Sequence, residues 1–310
     1  MPGQIVVSAA TLAAGIRGEF SKTYASSFEA SSSRLNSVMD IGITSSQLTE
    51  TYAYYTSAPQ AKIWRRGEAI QDEAFTSVAF SCTNLDWGIK VSWAESDRED
   101  DQTRSLMDRA RDAGRSFGQL NERCFFQLLL AATDADLLQA IPNAPDGAAL
   151  YATTAGGAAR FGITSGNLLT GTGVASSAAV RSDFFSAIEQ MRGFQDTKGA
   201  PLWSDSSFNG YTVIYGVHNE EVFREAFVQG RTLDGGAAVS NVILDSGLKI
   251  NLWSTQRVPA GDDDFYVFAN VPGGRRAIFE QTRRGLRETW AGMDNSDEAR
   301  ATKIESVQWD

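Results

Sequence analysis

Between Glu95 and Asp101 the apolar pattern of this 310-residue chain changes period, and that switch constrains the fold more than any other feature. Upstream, Leu85, Trp87, Ile89, Val91 and Trp93 alternate strictly, and so do Val78, Phe80 and Cys82. The phase changes at Thr83-Asn84, as at a turn or bulge. Downstream, Leu106, Ala110, Ala113, Phe117, Leu120, Cys124 and Leu128 recur at spacings of three and four, which puts them on one face of a helix. The stripe predicts a helix from about 102 to 134, roughly 50 Å long at 1.5 Å per residue. Helices of compact domains average about a dozen residues. The carboxylates of Glu95, Asp97, Glu99, Asp100 and Asp101 precede it and suit the positive end of its dipole. Gly114 and Gly118 each weaken it by about 1 kcal/mol relative to Ala and allow close packing. A long helix with one apolar stripe is a beam for a sheet to lie on, so the chain reads as α+β.

The other segments are arranged around that beam. Residues 1 to 40 are rich in Ser and Ala, with scattered aromatics at Phe20, Tyr24 and Phe28. They read as an arm that needs something to lie against. From Ile41 to Tyr55 the alternation is partial. Residues 56 to 95 read as a long two-stranded β excursion carrying one basic-aromatic cluster, Lys62-Ile-Trp-Arg-Arg66. An isolated two-stranded ribbon is marginally stable in water, which points to a surface supplied by another chain. Residues 142 to 181 have loop composition. A mixed α/β unit follows, with helices at 182–194 and 219–229 and strands at YTVIYGV, NVILD, KINLWST and DFYVFANV. The alternation of Ile304, Val307 and Trp309 sends the C-terminus back to the first unit.

Composition narrows the function. The chain carries a net charge of -10, whereas a protein that grips nucleic acid presents a basic face. This disfavours DNA binding but not the enclosure of DNA. No apolar run is long enough to span a membrane, and no basic stretch precedes the apolar N-terminal patch as in a secretory signal. Two cysteines, Cys82 and Cys124, form no CxxC pair and read as buried thiols in a reducing cytoplasm. The one histidine, His218, excludes any two-histidine metal site and reads as a strand-end or capping residue. Phosphate-binding glycine loops and nucleophile elbows are missing. The run 95–101, interleaved with Arg98, reads as a solvated helix start, and Asp262-Asp263-Asp264 reads as a turn, with a weak cation site as its alternative. The expectation is therefore no catalysis, no cofactor and no metal. Lys62–Arg66 reads either as an intersubunit anchor, Trp and Arg being frequent interface hot spots, or as a surface loop with snorkelling arginines. Its place on a β excursion favours the anchor.

These parts, in this order, resemble the Hong Kong 97-type capsid fold, and most closely the Mu-like phage major head subunit family. The residues that carry the resemblance are Tyr52-Ala-Tyr-Tyr55, Lys62-Ile-Trp-Arg-Arg66 with Glu68-Ala-Ile70, Phe75, and Trp87-Gly-Ile-Lys-Val91 followed by Ser96-Asp-Arg-Glu-Asp-Asp101. The resemblance implies an N-arm at 1–50 and an E-loop β-hairpin at 51–96. It implies a P-domain at 97–175 and 286–310 with a spine helix at about 102–134, and an A-domain at 176–285. Intersubunit contacts are then expected from Lys62, Trp64, Arg65, Arg66 and Glu68 of the E-loop and from Phe20, Tyr24 and Phe28 of the N-arm. It further implies hexamers and pentamers closing an icosahedral virion shell around double-stranded DNA that is enclosed without specific binding. Assembly would take place in the host cytoplasm with portal, scaffolding and decoration proteins. Some relatives carry a cleaved leading segment; here the arm starts almost at Met1, which implies scaffolding supplied separately or already removed. No Lys–Asn cross-linking pair is identifiable. The alternatives are an encapsulin-like nanocompartment shell, marked by a cargo-peptide groove, and a carboxylate-dependent hydrolase, which needs two carboxylates meeting in one pocket.

Overall fold

The computed structural model describes residues 9–30, 34–57, 61–67, 69, 76–94, 105–130, 144, 149–152, 166–203, 208, 210–234, 237–270, 276–285, 287–291 and 304–309. Helix α1 (Ala9–Ala30) is followed by strands β1 (Met39–Thr44), β2 (Thr49–Ser57), β3 (Thr76–Thr83) and β4 (Ile89–Ala94). Helices α2 (Ser105–Gly118), α3 (Leu120–Leu129) and α4 (Ser177–Arg192) come next, then strand β5 (Tyr211–Gly216) and helix α5 (Glu220–Phe227). Strands β6 (Arg231–Asp234) and β7 (Ala237–Ser240), one-turn helix α6 (Val242–Asp245) and strands β8 (Ile250–Thr255) and β9 (Phe265–Ala269) lead to β10 (Ile278–Thr282), β11 (Glu288–Ala291) and β12 (Ile304–Trp309). The chain divides into two units, one of Met1–Arg34, Asn84–Phe125 and Thr282–Asp310, the other of Leu35–Thr83 and Phe126–Gln281.

In the first unit a sheet of order β11-β12-β4 lies with the beam. The C-terminal strand β12 pairs antiparallel with β4, Val307 opposite Val91 and Trp309 opposite Ile89, so the chain end does return to this unit. Its core joins Phe20 and Tyr24 of α1, Trp93 of β4, and Leu106, Ala110 and Ala113 of α2. Two expectations change here. The stretch expected as an arm for a neighbour contains a 22-residue helix, because Phe20, Tyr24 and Phe28 stand four apart and line one face. The strand expected from Leu85 begins only at Ile89 and pairs with the C-terminus, not with the strand through Phe80. The beam breaks its regular form at Gln119, directly after Gly118, between α2 and α3. Its ladder still crosses the break, with Gln119 N–H donating to Arg115 C=O at 3.1 Å and Arg123 N–H to Gln119 C=O at 2.9 Å.

Gly114 sets how closely α1 approaches the beam. A Cβ at this position would lie 2.5 Å from the Tyr24 carbonyl oxygen and 3.1 Å from Ser27 Cβ. Only hydrogen fits, and the two backbones meet there.

In the second unit β5 is flanked by β8 in parallel and β9 in antiparallel register. Every residue of β5 is buried, as its continuous apolar run Tyr-Thr-Val-Ile-Tyr requires. Helices α4 and α5 contribute Val180, Phe184 and Ile188, and Phe223, Ala226 and Phe227, to one core. Phe184 stands edge-on to both Tyr211 and Phe227, and Phe223 stacks on Tyr215 at 4.1 Å. Such pairs contribute about 0.5–1.5 kcal/mol each beyond the area they bury. Burial and the neighbouring Glu220 carboxylate push the Tyr215 phenol up to about 12. The segment NVILD, expected as a strand, is the one-turn helix α6. Asn241 is buried at its N-cap, where its side chain accepts from Ile243 N–H at 3.1 Å and donates to the carbonyls of Ala226 and Gln229, both at 2.9 Å. A cap that also closes the end of α5 outweighs the β propensity of Val, Ile and Leu.

Candidate intersubunit surface

Strands β2 and β3 form an antiparallel hairpin with Tyr52 opposite Phe80 and a register shift between Tyr55 and Ser57. Among the described residues this sheet has two strands and no third. Hydroxyl pairs tie one face, Thr49 to Thr83 at 3.0 Å and Thr51 to Ser81 at 3.4 Å. On the other face the Tyr52 ring lies 5.5 Å from Phe80 and 5.2 Å, edge-on, from Phe279 of β10. The Tyr52 hydroxyl donates to Gln281 Oε1 at 2.5 Å. The turn leading into β2 closes on Glu50, whose Oε1 accepts from Ser45 Oγ, Ser46 N–H and Gln47 N–H at 3.0 to 3.2 Å. These bonds, led by the Ser46 N–H, hold its carboxyl below its ordinary range.

Farther out, the hairpin outruns its support. Val78, on the same face as Phe80, is 44% exposed. Residues 61–67 form no helix or strand, and all are exposed, Ile63 at 94% and Trp64 at 58%. Gly67 turns the chain there with φ +100°, a conformation that side chains rarely adopt. Lys62, Arg65 and Arg66 set three cations around two large apolar side chains, on a chain whose net charge is -10. Covering Ile63 and Trp64 fully would contribute about 1.5–3 kcal/mol each. Glu68, expected beside them, lies outside the described residues. Tyr52 and Phe80 were visible as members of alternating runs. Phe279 and Gln281 were not singled out, because what joins them to the hairpin is a pairing more than 200 residues distant in sequence, and their two-residue spacing on β10 was the only local signal.

The expected arm contacts need correction. Phe20 and Tyr24 are 0% and 1% exposed, and the Phe20 ring lies 5.2 Å from Trp93. Both are core residues of their own unit, because the aromatic face of α1 has the beam to rest on. Burial, and then the Glu288 carboxylate, push the Tyr24 phenol well up. Phe28 alone stays at the rim, 36% exposed, stacked on Tyr24 and tilted against Phe117.

Among the described residues the remaining candidates hold no reactive constellation. The acidic run from Glu95 to Asp101 lies outside the described residues. His218 and the Asp262–Asp264 turn, far apart in sequence, meet: His218 Nε2 is 3.0 Å from the Asp262 carbonyl and 4.0 Å from Asp263 Oδ1. His218 thus sits in the short helical turn that ends β5, as a strand-end residue. Within the turn, Asp264 N–H donates to Asp262 Oδ1 at 3.0 Å. Partial burial, with Asp262 and Asp263 adding to it, raises the Asp264 carboxyl. Among the described residues no group of three or more His, Cys, Asp or Glu side chains could hold a metal ion. Cys82 and Cys124 are half-buried and form no disulfide, and burial pushes the Cys82 thiol up. No helix among the described residues is long and apolar enough to cross a membrane.

Comparison with known proteins places this geometry. Residues 13–138 match the family described as Mu-like prophage major head subunit gpT. No curated protein matches. Among solved structures the chain resembles the mature capsid of bacteriophage PhiM1, with TM-score 0.52, 11% identity, and 89% of this chain and 81% of that one covered. It also resembles the bacteriophage JBD30 capsid (TM-score 0.52, 14% identity, 73% and 91% covered) and a Mycobacterium phage Adephagia structure (TM-score 0.54, 9% identity, 89% and 80% covered). At these identities the structural likeness speaks to the fold, which is the α+β fold of Hong Kong 97-type capsids. The beam, the β4 strand ahead of it and the whole hairpin fall within the matched residues, about two fifths of the chain, and over that stretch the chain is similar to Mu-like major head subunits.

Proposed function

We propose that this chain assembles with copies of itself, as hexamers and pentamers, into an icosahedral virion shell around double-stranded DNA, and that it catalyses nothing. The observation that carries this reading is the hairpin tip, where Ile63 is 94% and Trp64 58% exposed amid three cations. Exposed large apolar side chains amid cations favour burial at a contact, and a second copy of this acidic chain offers the complementary charge. Closed symmetric shells follow when one such patch repeats around axes of symmetry.

In this reading the hairpin is the E-loop, the beam with the β11-β12-β4 sheet is the body of the P-domain, and residues 176–285 form the A-domain. Lys62, Trp64, Arg65, Arg66 and Glu68 reach a neighbour, with Phe28 at the rim of α1 as a second contact. The net charge of -10 suits a lining to which DNA does not adhere. Portal, scaffolding and decoration proteins complete the particle in the host cytoplasm.

The test is the double variant Trp64→Ala with Arg66→Ala, followed by sedimentation and electron microscopy. The expected result is a folded subunit with at least a tenfold loss of closed particles, about 1.4 kcal/mol or more per contact. Normal particles from that variant would overturn the assignment of the tip.

A further inference from the structure

We propose that Tyr52, Phe80, Phe279 and Gln281 form the pivot that fixes the bearing of the hairpin, and through it the place where the Lys62–Arg66 tip meets a second copy of the chain. The inference rests on the tip being an intersubunit contact and assigns four positioning residues to it.

The hairpin cannot hold its own direction. Its sheet has two strands among the described residues, and a ribbon of that kind is marginal alone. Ser77, Val78 and Ala79 are exposed, so β3 gains no support toward its free end. Support is concentrated at one level. Tyr52 and Phe80 face each other across the strands, and Phe279 closes on both, at 5.2 Å and 6.2 Å between ring centroids. Gln281, two residues along β10 and therefore on the same face as Phe279, receives the Tyr52 hydroxyl at 2.5 Å.

The seat of this cluster is itself fixed. Strand β10 pairs with β1. Just ahead of β10, Arg276 N–H donates to Asp40 Oδ2 at 3.0 Å, and its guanidinium lies 3.6 Å from Oδ1. Three rings and one hydroxyl bond on a braced strand thus set the angle of everything beyond them. From Tyr52 to Ser57 the strand runs about 17 Å at roughly 3.3 Å per residue, so a tilt of about 10° would displace its end by about 3 Å. Binding constellations tolerate about 0.5 Å. Loosening the pivot would therefore misplace the tip without unfolding the body.

The experiment compares Phe279→Ala, Phe279→Leu and Tyr52→Phe by hydrogen exchange on the unassembled subunit, then by shell formation in light scattering and electron microscopy. Phe279→Ala should speed amide exchange in 49–57 and 76–83 by about tenfold or more, leave β5 protected, and cut closed-shell yield severalfold. Phe279→Leu should restore most of both, and Tyr52→Phe should move both in the same direction by less. Unchanged exchange in the hairpin of Phe279→Ala overturns the pivot, as do normal shells formed from a loosened hairpin. If Phe279→Ala unfolds the subunit, Tyr52→Phe and Gln281→Ala carry the same two readouts. Because exchange is read before assembly, a failure of the pivot stays distinct from a failure of the tip assignment, which normal shells from the Trp64/Arg66 variant would reveal.

Discussion

Two helical glycines make opposite predictions from one argument. Gly18 lies exposed inside α1, and a Cβ built there meets nothing within 4 Å. Gly18→Ala should therefore stabilise the protein by about 0.5–1 kcal/mol, through reduced backbone freedom of the unfolded chain. Gly114 lies buried in α2, where the same Cβ would stand 2.5 Å from the Tyr24 carbonyl oxygen and 3.2 Å from its carbon. Ordinary contact begins near 3.4 Å, so α1 must retreat by roughly 0.9 Å. A backbone carbonyl cannot rotate aside as a side chain would. The retreat lifts the rings of Phe20 and Tyr24, buried to 0% and 1%, off Leu106, Ala110 and Ala113.

Forcing a methyl into a filled contact costs about 1–3 kcal/mol, and with rigid backbone as the neighbour the upper half of that range applies. The helix-propensity gain of about 1 kcal/mol offsets part of it. Gly114→Ala should then destabilise by about 1–2 kcal/mol, which separates the two variants by about 1.5–3 kcal/mol. With a urea slope of about 2 kcal/mol per molar, their midpoints should differ by about 1 M. The assay is equilibrium urea unfolding of the unassembled subunit, followed by tryptophan fluorescence, since Trp93 sits in the affected core. Gly114→Ala at or above the wild-type midpoint would refute the close approach of α1 to the beam.

Two further substitutions test the second unit. Asn241→Ala removes one accepted and two donated hydrogen bonds at a buried position and should cost about 2–4 kcal/mol in urea unfolding, with Asn241→Asp failing to rescue because carboxylate oxygens would face the Ala226 and Gln229 carbonyls. Asp264 has its carboxyl raised by burial and by two neighbouring aspartates, so its ionised form opposes folding above that raised pKa and the cost disappears as pH falls through it. Asp264→Asn should accordingly raise the melting temperature near pH 7, and melts repeated down to about pH 4 should show the gain fading; a gain that grows on acidification has the wrong sign.

What the sequence disclosed, and what it withheld, follows from the range of the forces involved. The beam, the buried strand β5, the helix through Phe223 and the return of the C-terminus were legible because burial on one face writes a local period into the chain. The strand-to-helix error at 242–245 arose because Val, Ile and Leu announce strand locally, whereas Asn241 answers to carbonyls 12 and 15 residues away. Helix α1 had a legible stripe in Phe20, Tyr24 and Phe28, hidden by the Ser and Ala around it. The partner of β4 was harder to read. Alternation shows that a strand has two faces but not which strand lies beside it, and the choice between the strand through Phe80 and β12 is made over more than 200 residues. The tip is legible for a different reason. Lys62, Trp64, Arg65 and Arg66 stand together as a basic-aromatic cluster on a β excursion, and the pairing of Trp with Arg, frequent at interfaces, is written in the sequence itself. The residues that aim them, Phe279 and Gln281, satisfy every local rule as ordinary members of an edge strand. Their function lies in an angle, and an angle leaves no period to read.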